Sequence, residues 1–221
     1  MNDAPPTGLR PGQPQAAATT LATWLRPAQD LLETAQRAHD LFTCEHQQRT
    51  TELAVAIGAR LALSDARLEV LRLAALLHDV GKMGVPAGIV RKPGELSSSE
   101  HALVRAHCAV GHGILEFLEV PFPLPEIVLQ HHERLDGTGY PRALAGDEIL
   151  IEARILAVAD AFDAMTSYRG YRAALPAEFA LAELTKLSGR ALDADAVAAC
   201  AAHVQAQPER WAPAPGPAAA G

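Results

Sequence analysis

The chain has 221 residues, of which 49% are of hydrophobic types and only 5% are aromatic, and its formal net charge is −7. This length suits one domain, and a core so poor in aromatic residues must consist of Ala, Leu, Val and Ile, a mixture that favours helices. The acidic balance argues against a nucleic acid polymer as partner, because such polymers are held by basic surfaces. Three separated cysteines without a CxxC pair, no leader segment, and apolar stretches that Arg60 and Arg72 interrupt predict a cytoplasmic protein with no membrane segment.

The two ends of the chain differ in composition from the middle. Residues 1–20 and 208–221 are rich in Pro, Ala and Gly without any apolar periodicity, so both segments are predicted to be disordered. A single helical domain is predicted between them, at 21–207.

Helical spacing of apolar residues, interrupted by Gly and Pro, predicts an all-α bundle without strands. The predicted helices are 21–39, 43–63, 65–79, 97–119, a short one that ends at His132, 151–167 and one or two more that end near His203. Asp40 or Thr43 is the predicted N-cap of the second helix, and Gly81 is the predicted end of the third, which is apolar on nearly every side. Ser97 and Glu100 form a capping box for the fourth helix.

The pair His78-Asp79 stands at the end of the most apolar predicted helix. Burying a carboxylate and an imidazole there is costly unless a partner compensates them, and a divalent metal can compensate both. For an isolated His-Asp pair, a hydrogen bond between the two side chains is the alternative.

Two further histidines are predicted to point inward from separate helices. At 100° per residue, His107 falls on the same stripe as Leu103, and His46 lines up with Leu53 and Ile57. Histidines that face the core from separate helices suggest that their rings converge on one site.

Asp160 lies in phase with small apolar residues, so its carboxylate is predicted to face the core and to need a cation. His131 and His132 are adjacent and precede a glycine-rich loop. The complete set of candidate ligands is His46, His78, Asp79, His107, His131, His132 and Asp160. Nitrogen and oxygen donors of this kind suit Fe, Mn or Zn, and the cores of helical bundles are where di-metal sites are built.

These residues resemble the HD-GYP branch of the HD metal-dependent phosphohydrolases, which hydrolyse the bacterial messenger cyclic di-GMP. The resemblance covers about residues 28–205. The strings that carry it are His78-Asp79-Val-Gly-Lys82, Lys92-Pro-Gly94, His107 with Gly111, His131-His-Glu-Arg-Leu-Asp-Gly-Thr-Gly-Tyr-Pro141, Ala153-Arg-Ile155, Asp160-Ala-Phe-Asp-Ala164 and Arg169-Gly-Tyr-Arg172. The fold that the resemblance implies is a single-domain bundle of the HD phosphohydrolase type with a metal site in its core.

The resemblance also implies how two divalent metal ions are held, with Fe or Mn expected and Zn as the alternative. One metal would be held by His46, His78, Asp79 and Asp160, and Asp79 would bridge to a second metal on His107, His131 and His132. A hydroxide bridging the metals would attack cyclic di-GMP and yield linear pGpG, with further cleavage to GMP left open. Phe42 stands where some members have a glutamate that can bind a third metal, which favours two metals.

On the substrate side, the resemblance makes Lys82 a phosphate-contacting and catalytic residue and makes Arg169 and Arg172 basic residues of the pocket. A surface lysine and solvated arginines are the structural alternatives. Gly139, Tyr140 and Pro141 are expected to shape the pocket rim, to contact the substrate and to serve as a surface for protein partners.

Several polar residues are open to a structural interpretation. Glu133 is expected either to orient a ligand histidine or to be solvated, and Asp136 is expected to cap a turn. The remaining histidines are interpreted as structural: His39, His101, His112 and His203.

Two other functions compete with hydrolysis of cyclic di-GMP. One is hydrolysis of another cyclic dinucleotide or nucleotide, because the shape of the pocket, rather than the metal ligands, sets the base preference. The other is a catalytically silent signalling module that binds partners through the Gly-Tyr-Pro surface.

Overall fold

The structure is all-helical where it is described, so the predicted fold class is confirmed. The computed structural model describes Asp30, Thr34 and residues 41–92, 94–118, 122–167 and 174–211, with only the backbone for 41–45. Within these ranges no residue belongs to a strand, and two residue pairs form isolated bridges. The helix predicted at 21–39 falls outside the described residues except for Asp30 and Thr34, which are helical.

The described ranges contain α-helices that follow each other through short connections. They are α1 Leu41–Arg60, α2 Asp65–Leu77, α3 Ala87–Val90, α4 Ser98–Arg105, α5 His107–Glu116, α6 Leu124–Gln130, α7 Ile151–Thr166, α8 Ala177–Leu187 and α9 Ala194–Ala206. Two 3₁₀ segments, Val80–Gly84 and Gly146–Glu148, lie between them. None of these helices combines the length and the apolar character that crossing a membrane requires.

The centre of the bundle is formed by α1, α2 and α7. Helix α1 packs along both α2 and α7, and α2 also contacts α6, which packs against α5. As predicted, α2 is apolar on nearly every side, and Leu71, Leu73 and Leu77 are each at most 2% exposed. Full burial of a leucine side chain stabilises a fold by about 1.5–3 kcal/mol, so α2 anchors the residues that follow it.

The packed part of the chain extends to Trp211, past the predicted start of the C-terminal tail at Pro208. The Trp211 side chain is 0% exposed, and its ring meets the Phe162 ring edge-on with the centroids 5.7 Å apart. A large aromatic side chain buried at this position ties residues 208–211 to α7. Residues 212–221 lie outside the described part of the chain.

The structure excludes one of the two predicted caps of α1 and moves the predicted end of α2. Helix α1 begins at Leu41, so Thr43 lies inside the helix and is not its cap, while Asp40 is outside the described residues. Helix α2 ends at Leu77 and not at Gly81, which lies in the following 3₁₀ segment. A Cβ atom on Gly81 would lie 1.9 Å from the backbone oxygen of His107, so the glycine is needed because two segments of backbone pass very close to each other.

The long helix predicted from residue 97 to 119 is two helices, α4 and α5, separated at Ala106. Its predicted capping box of Ser97 and Glu100 is confirmed. Because of the break, Leu103 and His107 do not share a stripe: Leu103 is 49% exposed, whereas His107 is 1% exposed. His107 is buried as predicted. It is the first residue of α5, so its burial does not follow from the phase of one long helix through Leu103.

Candidate metal centre

Three buried histidines are each held by the same kind of local hydrogen bond. His78 and His131 each follow the last residue of a helix, and His107 begins α5. In each ring Nδ1 lies against the carbonyl oxygen three residues earlier: Ala75 at 2.7 Å, Val104 at 2.6 Å and Val128 at 2.6 Å. A carbonyl only accepts, so Nδ1 carries the proton and donates, and Nε2 of the neutral ring keeps a lone pair.

The Nε2 atoms of these rings point at one another and at a carboxylate. Nε2 of His107 and Nε2 of His131 are 3.3 Å apart, although both carry lone pairs. Nε2 of His78 is buried and has no hydrogen-bond partner among the described residues. Buried acceptors that face each other need a cation between them, so the donors present here fit a metal site.

Asp79 lies between two groups of imidazoles. Its Oδ2 atom is 3.4 Å from Nε2 of His78 and 2.6 Å from the Lys82 ammonium, and its Oδ1 atom is 3.6 Å from Nε2 of His107. Burial would raise the pKa of Asp79, but the Lys82 ammonium holds that pKa well below its usual value. The carboxylate is therefore ionised and has one oxygen toward each group.

His46 is held between two carboxylates from α7. Its Nε2 atom is 3.1 Å from Oδ1 of Asp160, and its Nδ1 atom is 2.6 Å from Oδ2 of Asp163. Burial would lower the pKa of His46, but the hydrogen bonds to Asp160 and Asp163 raise it to about 9. The proton on Nε2 thus holds together a nitrogen and a carboxylate that a metal cation could also join.

Asp163 is a part of the site that the sequence analysis missed. Its side chain is 0% exposed, and its Oδ1 atom accepts a hydrogen bond of 2.6 Å from Nε of Arg49. The residue lies three positions after Asp160 on α7, so helical phase already placed the two carboxylates on neighbouring parts of one face. Arg49 lies three residues after His46 on α1, so the sequence also indicated an arginine that could pair with Asp163.

His132 and Tyr140 form a stack beside the buried histidines. The His132 ring lies 4.1 Å from the His131 ring and 5.2 Å from the His107 ring, centroid to centroid. Burial lowers the pKa of His132 to about 3, so the ring is a neutral imidazole that can act as a ligand. The Tyr140 ring lies 4.8 Å from His132 on its other side.

The donors divide into two groups, and within each group the ligand atoms lie within 4.8 Å of one another. One group is His46, His78 and Asp79, with Asp160 beside it through its contact with His46, and the other is His107, Cys108, His131 and His132. The structure thus brings all seven predicted ligands together. Cys108 was not predicted: its Sγ atom lies 3.6 Å from Nε2 of His107, and burial raises the pKa of the thiol to about 12.

The glycine-rich loop after His132 is fixed by buried backbone contacts. A Cβ atom on Gly139 would lie 2.4 Å from the Glu133 Cα atom, so this position has no room for a side chain. Glu133 is 2% exposed and accepts hydrogen bonds from the backbone amides of Arg142 and Leu144, at 2.7 and 3.0 Å. Neither predicted role of Glu133 is correct, because it binds the loop and neither orients a histidine nor faces solvent.

Other predicted residues are placed as follows. Asp136 accepts hydrogen bonds from the amide and hydroxyl of Thr138, as expected of a turn cap. Pro141 is exposed at the edge of the loop. Arg169 and Arg172 lie outside the described residues, as does His39, so their predicted roles stay predictions.

The fold and the site define a class: a helical bundle whose core presents two adjoining groups of histidine and aspartate donors suited to divalent metals. The HD domain family matches residues 30–196. The chain belongs to the HD domain family, and its expected similarity to HD-GYP proteins is confirmed by the relatives described next.

Two relatives with assigned names and one solved structure illustrate the similarity. The 3'3'-cGAMP-specific phosphodiesterase 3 of Vibrio cholerae is 42% identical over 77% of this chain and 37% of its own length. A cyclic di-GMP phosphodiesterase of Thermotoga maritima is 38% identical over 77% of this chain and 47% of its own length. A HDG"Y"P protein from Bdellovibrio bacteriovorus has the same fold, with a TM-score of 0.62 at 22% identity over 73% of this chain and 52% of its own. The chain spans less than half the length of the two named phosphodiesterases.

Proposed function

We propose that this chain is a metal-dependent phosphodiesterase for a cyclic dinucleotide, with cyclic di-GMP as the first candidate. The observation that carries the proposal is the position of Asp79, whose two oxygens lie 3.4 Å from Nε2 of His78 and 3.6 Å from Nε2 of His107. A carboxylate between two groups of imidazoles is suited to bridge two cations, and paired divalent cations are suited to phosphodiester hydrolysis. The names of the similar phosphodiesterases support this class of substrate.

Each residue of the centre has a role in this proposal. The first cation would be held by His46, His78, Asp79 and Asp160, and the second by Asp79, His107, His131 and His132. When bound, two divalent cations activate water for in-line attack and stabilise charge on the attacking and leaving oxygens. The donors are nitrogen and oxygen atoms, which bind Fe, Mn and Zn alike. We propose that both cations are Fe or Mn.

The chain itself contributes orientation and charge. Backbone carbonyls fix the rings of His78, His107 and His131 with Nε2 toward the centre, so no reorganisation is needed when a cation binds. The Lys82 ammonium, 2.6 Å from Oδ2 of Asp79, lies where it can bind a phosphate oxygen or protonate the leaving oxygen. Arg169 and Arg172 stay predicted contacts of the substrate, as Gly139 and Pro141 do.

Two cyclic dinucleotides are the main candidates as substrates. Relatives of similar identity are named for cyclic di-GMP and for 3'3'-cGAMP, and the two molecules differ in one purine base. Because both keep the same phosphodiester ring, the metal centre does not distinguish them, and the base-binding walls must. We propose that the substrate is cyclic di-GMP and the product is linear pGpG. Analysis of the products will show whether pGpG is cleaved further to GMP.

The test combines metal analysis with a panel of substrates. The chain is purified without oxygen, its metal content is measured by mass spectrometry, and hydrolysis of cyclic di-GMP, 3'3'-cGAMP and cyclic di-AMP is followed by chromatography. Asp79→Asn removes the bridging charge with little change in shape, and Asp195→Asn, at the exposed start of α9, is the matched control.

About two metals per chain, hydrolysis of cyclic di-GMP, and a loss of about 10²-fold or more only in Asp79→Asn are expected. A clear preference for 3'3'-cGAMP would keep the enzyme class and change the substrate. A metal-replete protein that cleaves no nucleotide would refute the proposal and favour the signalling module, whose protein partners through the Gly-Tyr-Pro loop stay a prediction.

A further inference from the structure

A cavity is lined by exposed residues of α4. It has a volume of about 320 Å³ and is lined by Ser98, His101, Ala102 and Arg105. Arg105 is the last residue of α4 and lies two positions before His107, the first ligand of the second group. The cavity therefore borders the break between α4 and α5 that buries His107.

Arg105 connects this cavity to the metal centre through a stack of rings. The carbon atom of its guanidinium lies 5.0 Å from the centroid of the Tyr140 ring, and the Tyr140 ring lies 4.8 Å from the His132 ring. These two distances place the guanidinium within about 10 Å of a proposed metal ligand. An aromatic face holds a guanidinium in place while its N–H groups stay available to an anion.

Arg105 differs from the arginines that serve the fold. Arg49, Arg67 and Arg154 each bind a carboxylate, whereas Arg105 is exposed and forms no ion pair with any described residue. In a chain with a net charge of −7, an arginine held near the centre with no carboxylate partner in the described part of the chain can bind an anion from solution.

We infer that Arg105 and its cavity bind the second phosphodiester of a cyclic dinucleotide, the one that is not being cleaved. This inference rests on the proposed function. A cyclic dinucleotide carries two phosphodiesters in one ring, so when one is placed at the cations and Lys82, the other stays nearby and also carries a negative charge. Arg105 supplies a cation on the Tyr140 side of the centre, and a planar guanidinium matches two phosphate oxygens.

The experiment compares a substrate that has a second phosphodiester with one that lacks it. Arg105→Met keeps the apolar stem and removes the charge, and Arg105→Lys keeps a charge without the planar group. Arg60→Met, at the exposed end of α1, is the matched control. Kinetics are measured on metal-loaded protein with cyclic di-GMP and 3'3'-cGAMP, and with bis(p-nitrophenyl) phosphate, which has a single phosphodiester.

For Arg105→Met we expect KM for the cyclic dinucleotide to rise about 10- to 100-fold, the range of a charged hydrogen bond. We also expect kcat to change much less. The loss of kcat/KM on the cyclic dinucleotide should exceed the loss on bis(p-nitrophenyl) phosphate by about tenfold or more, with Arg105→Lys intermediate and Arg60→Met like the wild type.

Three outcomes would overturn the inference, and they are distinguishable. Equal losses on both kinds of substrate would place Arg105 at the scissile phosphate or in the fold. Unchanged kinetics of Arg105→Met on a cyclic dinucleotide that the wild type cleaves would remove the subsite and leave the proposed function intact. A wild type that cleaves only bis(p-nitrophenyl) phosphate would refute the proposed substrate class, and the subsite with it.

Discussion

Replacing the Asp163 carboxylate with an amide tests whether this residue keeps His46 in the state that binds a metal. In the structure both carboxylate oxygens accept: Oδ2 accepts from Nδ1 of His46 and from the Ser167 hydroxyl, and Oδ1 accepts from Nε of Arg49. In Asp163→Asn only one amide atom can accept, so one of the two sides must meet an N–H group.

Either orientation of the new amide is unfavourable. If its oxygen faces His46, its N–H₂ group faces Nε of Arg49, which loses its acceptor, while Nη2 of Arg49 still donates to Thr166. If its oxygen faces Arg49, its N–H₂ group faces Nδ1 of His46, which must then accept. The neutral ring then keeps its proton on Nε2, where a metal would bind. One charge-assisted hydrogen bond is lost in both cases, which is worth about 1.5–3 kcal/mol of folding stability.

The metal affinity should fall more selectively than the stability. Loss of the residue that orients a ligand histidine typically lowers metal affinity by about 10- to 100-fold. Urea unfolding of metal-free protein gives the stability, and competition with a chelator gives the affinity. Asp193→Asn is the control, because Asp193 also binds an arginine and caps α9, but it lies on a different helix from any proposed ligand. Asparagine caps helices as well as aspartate does.

Asp163→Asn with the metal affinity of the wild type would refute the orienting role. A loss of stability equal to that of Asp193→Asn would likewise show that the buried contacts of Asp163 carry no special weight. Reduced affinity in both variants would instead indicate that general loosening of the bundle weakens the site.

Two other predictions concern the scaffold. Gly81→Ala places a methyl group 1.9 Å from the His107 oxygen, so we expect a loss of at least about 1–3 kcal/mol in urea unfolding together with weaker metal binding. The control Gly88→Ala should be neutral, because no described residue outside its local backbone lies within 4 Å of the added methyl group. Equal stabilities of the two variants would contradict the close approach at Gly81. The hydrogen bond from Lys92 lowers the pKa of Glu100 to about 2 from 4.5. Because this pKa is lower in the folded state, the ionised carboxylate stabilises the fold above pH 4.5, and this stabilisation is lost as the pH falls toward 2. The difference in stability between the wild type and Glu100→Gln should therefore narrow below pH 4.5. A difference that stays constant with pH would contradict this reasoning.

The parts of the site that lie within uninterrupted helices could be predicted from the sequence. His46 on α1 and Asp160 on α7 face the core as their helical phase indicates, because both helices continue without a break through these positions. The same phase argument would have found Asp163, had a second carboxylate on one face been interpreted as a partner for an imidazole rather than passed over.

The parts that depend on tertiary approach could not be predicted in this way. Ala106 is a good helix former, and nothing local indicates that the helix is interrupted there; the His107 backbone instead lies against Gly81, which is distant in sequence. Glu133 is similar, because its acceptors are filled by amides from a loop that returns nine and eleven residues later. Local patterns determine which face a side chain occupies, whereas close contacts between segments decide where helices stop.

The composition of the centre is consistent with the proposed binding of a doubly charged anion by an acidic chain. Most of the proposed ligands are imidazoles, and the carboxylates among them are Asp79 and Asp160. The charge of the nearby Asp163 is compensated by Arg49. Two divalent cations on such a set would leave roughly two positive charges in a buried centre, which is about the charge of a cyclic dinucleotide with reversed sign. The negative surface can then exclude polyanions while the centre, Lys82 and Arg105 attract a small anion.

This balance predicts that replacing a ligand imidazole by a carboxylate, as in His132→Asp, weakens binding of the cyclic dinucleotide even where metals are retained. Full affinity in a metal-replete His132→Asp protein would contradict it.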